Sequence, residues 1–64
     1  MIIKWTNRYS GETGYVKHIN SKGAYFENTF DINEAKRFNK NMINRALRDL
    51  NDFCPDNTYE AIEV

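Results

Sequence analysis

The sequence predicts an α+β fold: a small antiparallel sheet, built from a three-strand meander and a C-terminal strand, packed against one amphipathic helix. Three observations carry that expectation. Residues 2–29 contain three runs rich in β-branched and aromatic residues, separated by turns bearing Gly, Asn and Ser. Residues 40–53 space Met42, Ile43, Ala46, Leu47, Leu50 and Phe53 three and four apart, which gathers them on one face of a helix. After Pro55, the segment Tyr59-Glu60-Ala61-Ile62-Glu63-Val64 returns to strand-forming residues.

The first strand reads as residues 2–9, with Ile3, Trp5 and Asn7 on one face. Residues 10–14, Ser-Gly-Glu-Thr-Gly, form a hairpin loop whose two glycines supply unusual backbone angles. A second strand covers residues 15–19, and on a regular strand His18 shares the side of Val16. Asn20-Ser21-Lys22-Gly23 is a turn cluster, and residues 24–29 alternate as a third strand. Asp31 followed by Glu34 has the form of a capping box. A single helix from there to Phe53 would be about 34 Å long, longer than a domain of this size is wide. A break is therefore predicted: a helical turn at 31–35, a short extended piece at 36–38, then Asn39 capping a helix over 40–53 that Pro55 stops. No repeat or linker divides the chain, so residues 1–64 read as a single domain.

A chain of 64 residues buries only about 60% of its unfolded surface, so its core has little to spare. The aromatic fraction of 14% offers Trp5, Phe26, Phe30, Phe38 and Phe53 to that core. One Cys54 and one His18 supply neither an internal disulfide nor a four-ligand zinc site, and no metal or other cofactor is expected. The formal net charge of zero argues against a general phosphate-backbone binder. No apolar run approaches the ~20 residues of a membrane span, and Lys4 interrupts Met1-Ile2-Ile3 at once, so neither a span nor a signal peptide is expected. A cytoplasmic location follows as the expectation, and the unpaired thiol agrees with it.

The charges carry the functional signal. Lys36, Arg37, Lys40, Arg45 and Arg48 form a run without an acid, whereas the charged residues that follow, Asp49, Asp52, Asp56, Glu60 and Glu63, are all acids. That order opposes the helix macrodipole, which favours acids at the N-terminus and bases at the C-terminus by about 0.3–1 kcal/mol each. An anionic or acidic partner would account for it. Lys36, Arg37 and Lys40 sit at the mouth of the helix, where free amides already favour an anion, and Arg45 and Arg48 extend the patch along the exposed side. Solvated side chains explain the same run, so the pattern leaves several readings open. The partner is an acidic protein surface in one, and in another nucleic acid, with Tyr9, Tyr15 and Tyr25 as stacking platforms. In a third it is a second copy of the chain, the bases of one antiparallel helix facing the acids of the other in a homodimer.

Catalytic constellations are weak. His18 has no recognisable nucleophile beside it, and Ser10 is not in a nucleophile elbow. Cys54, at the end of the apolar stripe, reads as a small buried hydrophobe. Asp49, Asp52 and Asp56 lack the loop of an EF-hand, and Gly11 and Gly14 lack the lysine and helix of a phosphate loop. The chain is expected to be an interaction module, not an enzyme.

The order of elements, with the phrases Gly14-Tyr15-Val16, Asp31-Ile32-Asn33-Glu34-Ala35-Lys36-Arg37-Phe38 and Tyr59-Glu60-Ala61-Ile62-Glu63-Val64, resembles a loose class of small proteins of phages and prophages of low-GC Gram-positive bacteria. The resemblance covers most of the chain and is one of arrangement, without a catalytic motif. It implies binding and inhibition of a host defence or regulatory protein, in the manner of anti-CRISPR proteins, within the host cytoplasm.

Overall fold

In the computed structural model, which describes residues 1–64, the strands are β1 (Ile2–Asn7), β2 (Thr13–Asn20), β3 (Tyr25–Thr29) and β4 (Asn57–Ile62). A 3₁₀ turn at Ile32–Glu34 and one helix, α1 (Lys40–Phe53), lie between β3 and β4. The sheet is antiparallel throughout in the order β3-β2-β1-β4. The closing strand therefore pairs with the first, from Ile2 opposite Ile62 to Asn7 opposite Asn57. One face of the sheet takes α1, and Ile3, Trp5, Val16, Phe38, Ile43, Ala46 and Leu50 form the buried core between them.

Local chemistry sets the ends of the elements. β1 stops at Asn7, two residues before the predicted end, because Asn7 Oδ1 accepts from the backbone N–H groups of both Tyr9 and Ser10 at 2.9 Å and turns the chain. β4 begins at Asn57, not Tyr59: the buried Asn57 side chain accepts from Asn7 Nδ2 at 3.2 Å and fixes the register there. β3 begins at Tyr25 because Ala24 stands in the left-handed region at φ 54°. Asp31 caps its turn by accepting from Asn33 N–H at 2.9 Å. The reciprocal half of the predicted box is absent, since Glu34 Oε2 instead accepts from Thr29 Oγ1 at 3.0 Å.

The predicted break before α1 is present and has a structural purpose. Lys36 donates its backbone N–H to Val16 O at 2.9 Å, while Phe38 donates to Met1 O at 2.7 Å and accepts from the Met1 ammonium at 2.9 Å. The extended piece thus ties β2 to the start of β1 and delivers Phe38 to the core. Asn39 then caps α1, its Oδ1 accepting from Met42 N–H at 2.9 Å. At the other end Cys54 N–H still reaches Leu50 O at 2.9 Å before Pro55 ends the helix.

Three sequence expectations need correction. Val16 pairs with Asn28 and His18 with Glu27, so Lys17 is an extra, bulged residue. The bulge shifts the alternation by one residue. His18 therefore lies opposite Val16, away from the core, and Ile19 returns to the core side against Phe26. Gly14 belongs to β2 rather than to a loop: only Gly11 has a left-handed φ, 75°, while Gly14 is needed because the Trp5 indole lies across it. Two large residues also escape the core, Phe30 at 66% exposed, with its ring centroid 6.2 Å from that of Trp5, and Met42 at 52%.

Candidate functional site

The five bases proposed from the sequence divide into separate neighbourhoods. Lys36 and Arg45 meet in a groove of about 290 Å³ between the end of β2 and the side of α1, with Ile19, Phe38 and Met42 as its apolar lining. Lys36 is fixed there from both ends: its backbone is bonded to Val16, and its Nζ lies 5.7 Å from the centroid of the Phe38 ring, a cation–π contact. Arg45 projects from α1 one turn after Asn41 and one turn before Asp49, and both of those residues also line the groove.

Lys40 is not part of this groove. At about 100° per residue it falls on the far side of α1 from Met42, and it lines a shallow hollow with Met1, Phe38, Asn39, Glu63 and Val64. Arg37 and Arg48 are exposed and line neither. The acids follow the bases closely along the helix, with Asp49 four residues after Arg45 and Asp52 four after Arg48. A base preceding an acid at that spacing is the weaker order on a helix. The cationic site is therefore short, centred on Lys36 and Arg45 and closed at one end by Asp49. With no acid in its first turn and no base in its last, α1 keeps an uncompensated dipole, positive at the end nearer Lys36.

Met42 is the groove residue that sequence reasoning missed. It fits the apolar stripe by spacing, and it is displaced because the stripe's edge there faces the extended 36–38 piece instead of the sheet. Its position at the margin of the stripe was the available signal.

The other candidate groups are placed elsewhere. His18 is exposed on the sheet face opposite α1, in register with Glu27. Ser10 Oγ accepts from Glu12 N–H at 3.2 Å within the hairpin. Cys54 is half-buried and its Sγ accepts from Asn57 Nδ2 at 3.6 Å. No group of three or more His, Cys, Asp or Glu side chains converges to hold a metal. Of the tyrosines proposed for stacking, Tyr9 sits in the β1–β2 hairpin, while Tyr15 and Tyr25 lie on the face away from α1, so they form no common surface with Lys36 and Arg45.

Tyr59 shows the one clear electrostatic perturbation. Burial pushes its phenol from 10.0 up to about 12; the Asn57 side chain, hydrogen-bonded to the phenol oxygen, acts the other way, and the Cys54 side chain and Asp56 add to the rise. A raised value means that the fold favours the neutral phenol, so this contribution is complete below pH 10 and is lost as pH rises from 10 towards 12. Stability should decline across that interval, and Tyr59→Phe should flatten the decline, as read from denaturation midpoints at successive pH values. An equally steep decline in the variant would locate the titrating group elsewhere.

The chain matches no family model, no curated protein and no solved structure.

Proposed function

We propose that the chain is a non-catalytic interaction module that engages an acidic protein surface through the groove between β2 and α1. The observation that supports this reading is that Lys36 and Arg45 line one groove with the exposed, apolar Met42, because cations around an apolar anchor suit a carboxylate-bearing polypeptide. The resemblance to small phage and prophage proteins makes a host defence or regulatory protein the class of target, and occupation of its surface the means of inhibition. Nucleic acid is the second reading of the same bases; the separation of the tyrosines from the groove favours protein.

The test is a charge reversal. Lys36→Glu combined with Arg45→Glu should abolish capture of the partner from a host lysate, while Arg37→Glu combined with Arg48→Glu should retain it, with both variants melting close to the parent because the residues are exposed. Retained capture by the first variant overturns the proposal. Binding of DNA and RNA probes that weakens steeply with salt would transfer the groove to nucleic acid.

A further inference from the structure

We propose that a second cleft, at the C-terminal end of α1, binds a peptide segment through a lysine or arginine side chain and an adjacent backbone carbonyl. The cleft has a volume of about 320 Å³ and is lined by Trp5, Glu12, Phe26, Asn28, Asp56 and Asn57, together with Asn7 and Cys54. It is distinct from the cationic groove and shares no lining residue with it.

Two independent features define what fits. The first is charge. Glu12 and Asp56 contribute carboxylates and no cation lines the cleft. The adjoining end of α1 adds carbonyl groups with no base in the last turn to offset them. Arg8 is nearby, but its Nε donates to Pro55 O at 3.0 Å and it does not line the cleft. Two aromatic residues, Trp5 and Phe26, also line the cleft. The net charge of the lining disfavours an anion.

The second feature is an orphaned donor. Trp5 is only 6% exposed, and its Nε1–H is fully buried with no acceptor. Buried polar groups are nearly always paired, so a lone one calls for explanation. Neither Asn7 nor Asn57 accepts from it: Asn7 Oδ1 accepts from Tyr9 and Ser10 N–H in the hairpin, and Asn57 Oδ1 accepts from Asn7 Nδ2. The groups left for a ligand are the carboxylates of Glu12 and Asp56, the amide of Asn28, and the buried indole N–H, which a ligand reaches only by displacing side chains of the cleft lining.

A bare cation would satisfy the carboxylates and leave the indole unpaired. An ordered water would do the reverse. A basic residue in a peptide brings both parts: its ammonium or guanidinium sits between Glu12 and Asp56, and its own carbonyl accepts from Trp5 Nε1–H. The reading is independent of the α1 groove, and either can fail alone.

The chain has one tryptophan, so its indole N–H gives a single resonance. Titration with a blocked Gly-Arg-Gly peptide, followed by heteronuclear NMR, should move that resonance saturably, and a blocked Gly-Gln-Gly peptide should not move it. Glu12→Gln with Asp56→Asn should weaken the response by about tenfold, the sum of two exposed charge contacts. Both residues are exposed, and an unchanged melting curve would show that the fold is intact. Equal responses to the two peptides, no response to either, or an undiminished response in the double variant overturns the proposal. A larger response to a simple monosaccharide than to the arginine peptide also overturns it, by assigning the cleft to neutral hydroxyl groups.

Discussion

Leu50→Ala should unfold most of the population. Leu50 has no exposed surface and lies in the core formed with Ile3, Val16, Ile43 and Ala46. Removing its branched end costs about 2–5 kcal/mol, made up of lost transfer free energy and the cavity left behind. A domain of this length has a total stability of about 3–10 kcal/mol. The loss is comparable with the whole. Urea denaturation of the variant should show a midpoint near zero denaturant or no native baseline, whereas Leu47→Ala, at a half-buried position one turn earlier, should lose less. An unchanged midpoint for Leu50→Ala would mean that α1 does not pack through this face.

Gly14→Val should be nearly as damaging for a different reason. A Cβ at Gly14 would stand 2.6 Å from Trp5 Cζ2, 2.7 Å from Cε2 and 2.9 Å from Nε1, closer than atoms can approach. The indole cannot simply retreat, because it is buried in the core. Overpacking of this kind costs about 1–3 kcal/mol, and the two further methyl groups of valine place it at the upper end. Gly11→Ala is the natural comparison: its Cβ meets open space, so only the left-handed φ of 75° is penalised, by about 1 kcal/mol. Thermal melts should rank Gly14→Val well below Gly11→Ala, with red-shifted tryptophan emission from the first alone. Equal melts would show that the indole does not rest on Gly14.

These two glycines illustrate how far the chain could be read in advance. Both stand in a turn-like pentapeptide, and pairing with β1 decides that one of them belongs to a strand; no local propensity contains that information. The strands, the turn at 31–35, the extended piece and the Asn39 cap were legible because each rests on neighbouring residues or on a length limit. The bulge at Lys17 was not. Lys17 and His18 are both polar, so either can face water, and only the odd spacing from Val16 to Ile19 hinted that the alternation slips. For the cationic site, the residue types were legible and their grouping was not: five bases in one run reach two different hollows or none, depending on where the 36–38 piece joins the sheet. The Trp5 cleft draws on three strands, the β1–β2 hairpin and the end of a helix, and no contiguous segment foretells it.

The pairing of β4 with β1 also governs when the fold can form. Ile2 meets Ile62 across the sheet, so the central strand β1 lacks one neighbour until β4 has been made. Closing a loop of about 60 residues costs roughly 4 kcal/mol of chain entropy before any contact repays it. The local hairpins can form earlier, but α1 packs on β4 as well as on β1, and the core remains open on that side. Folding is therefore a late, slow event set by a long-range encounter. On the ribosome the chain emerges with Trp5, Ile3 and Val16 uncovered, and it acquires its binding surfaces only after synthesis of β4.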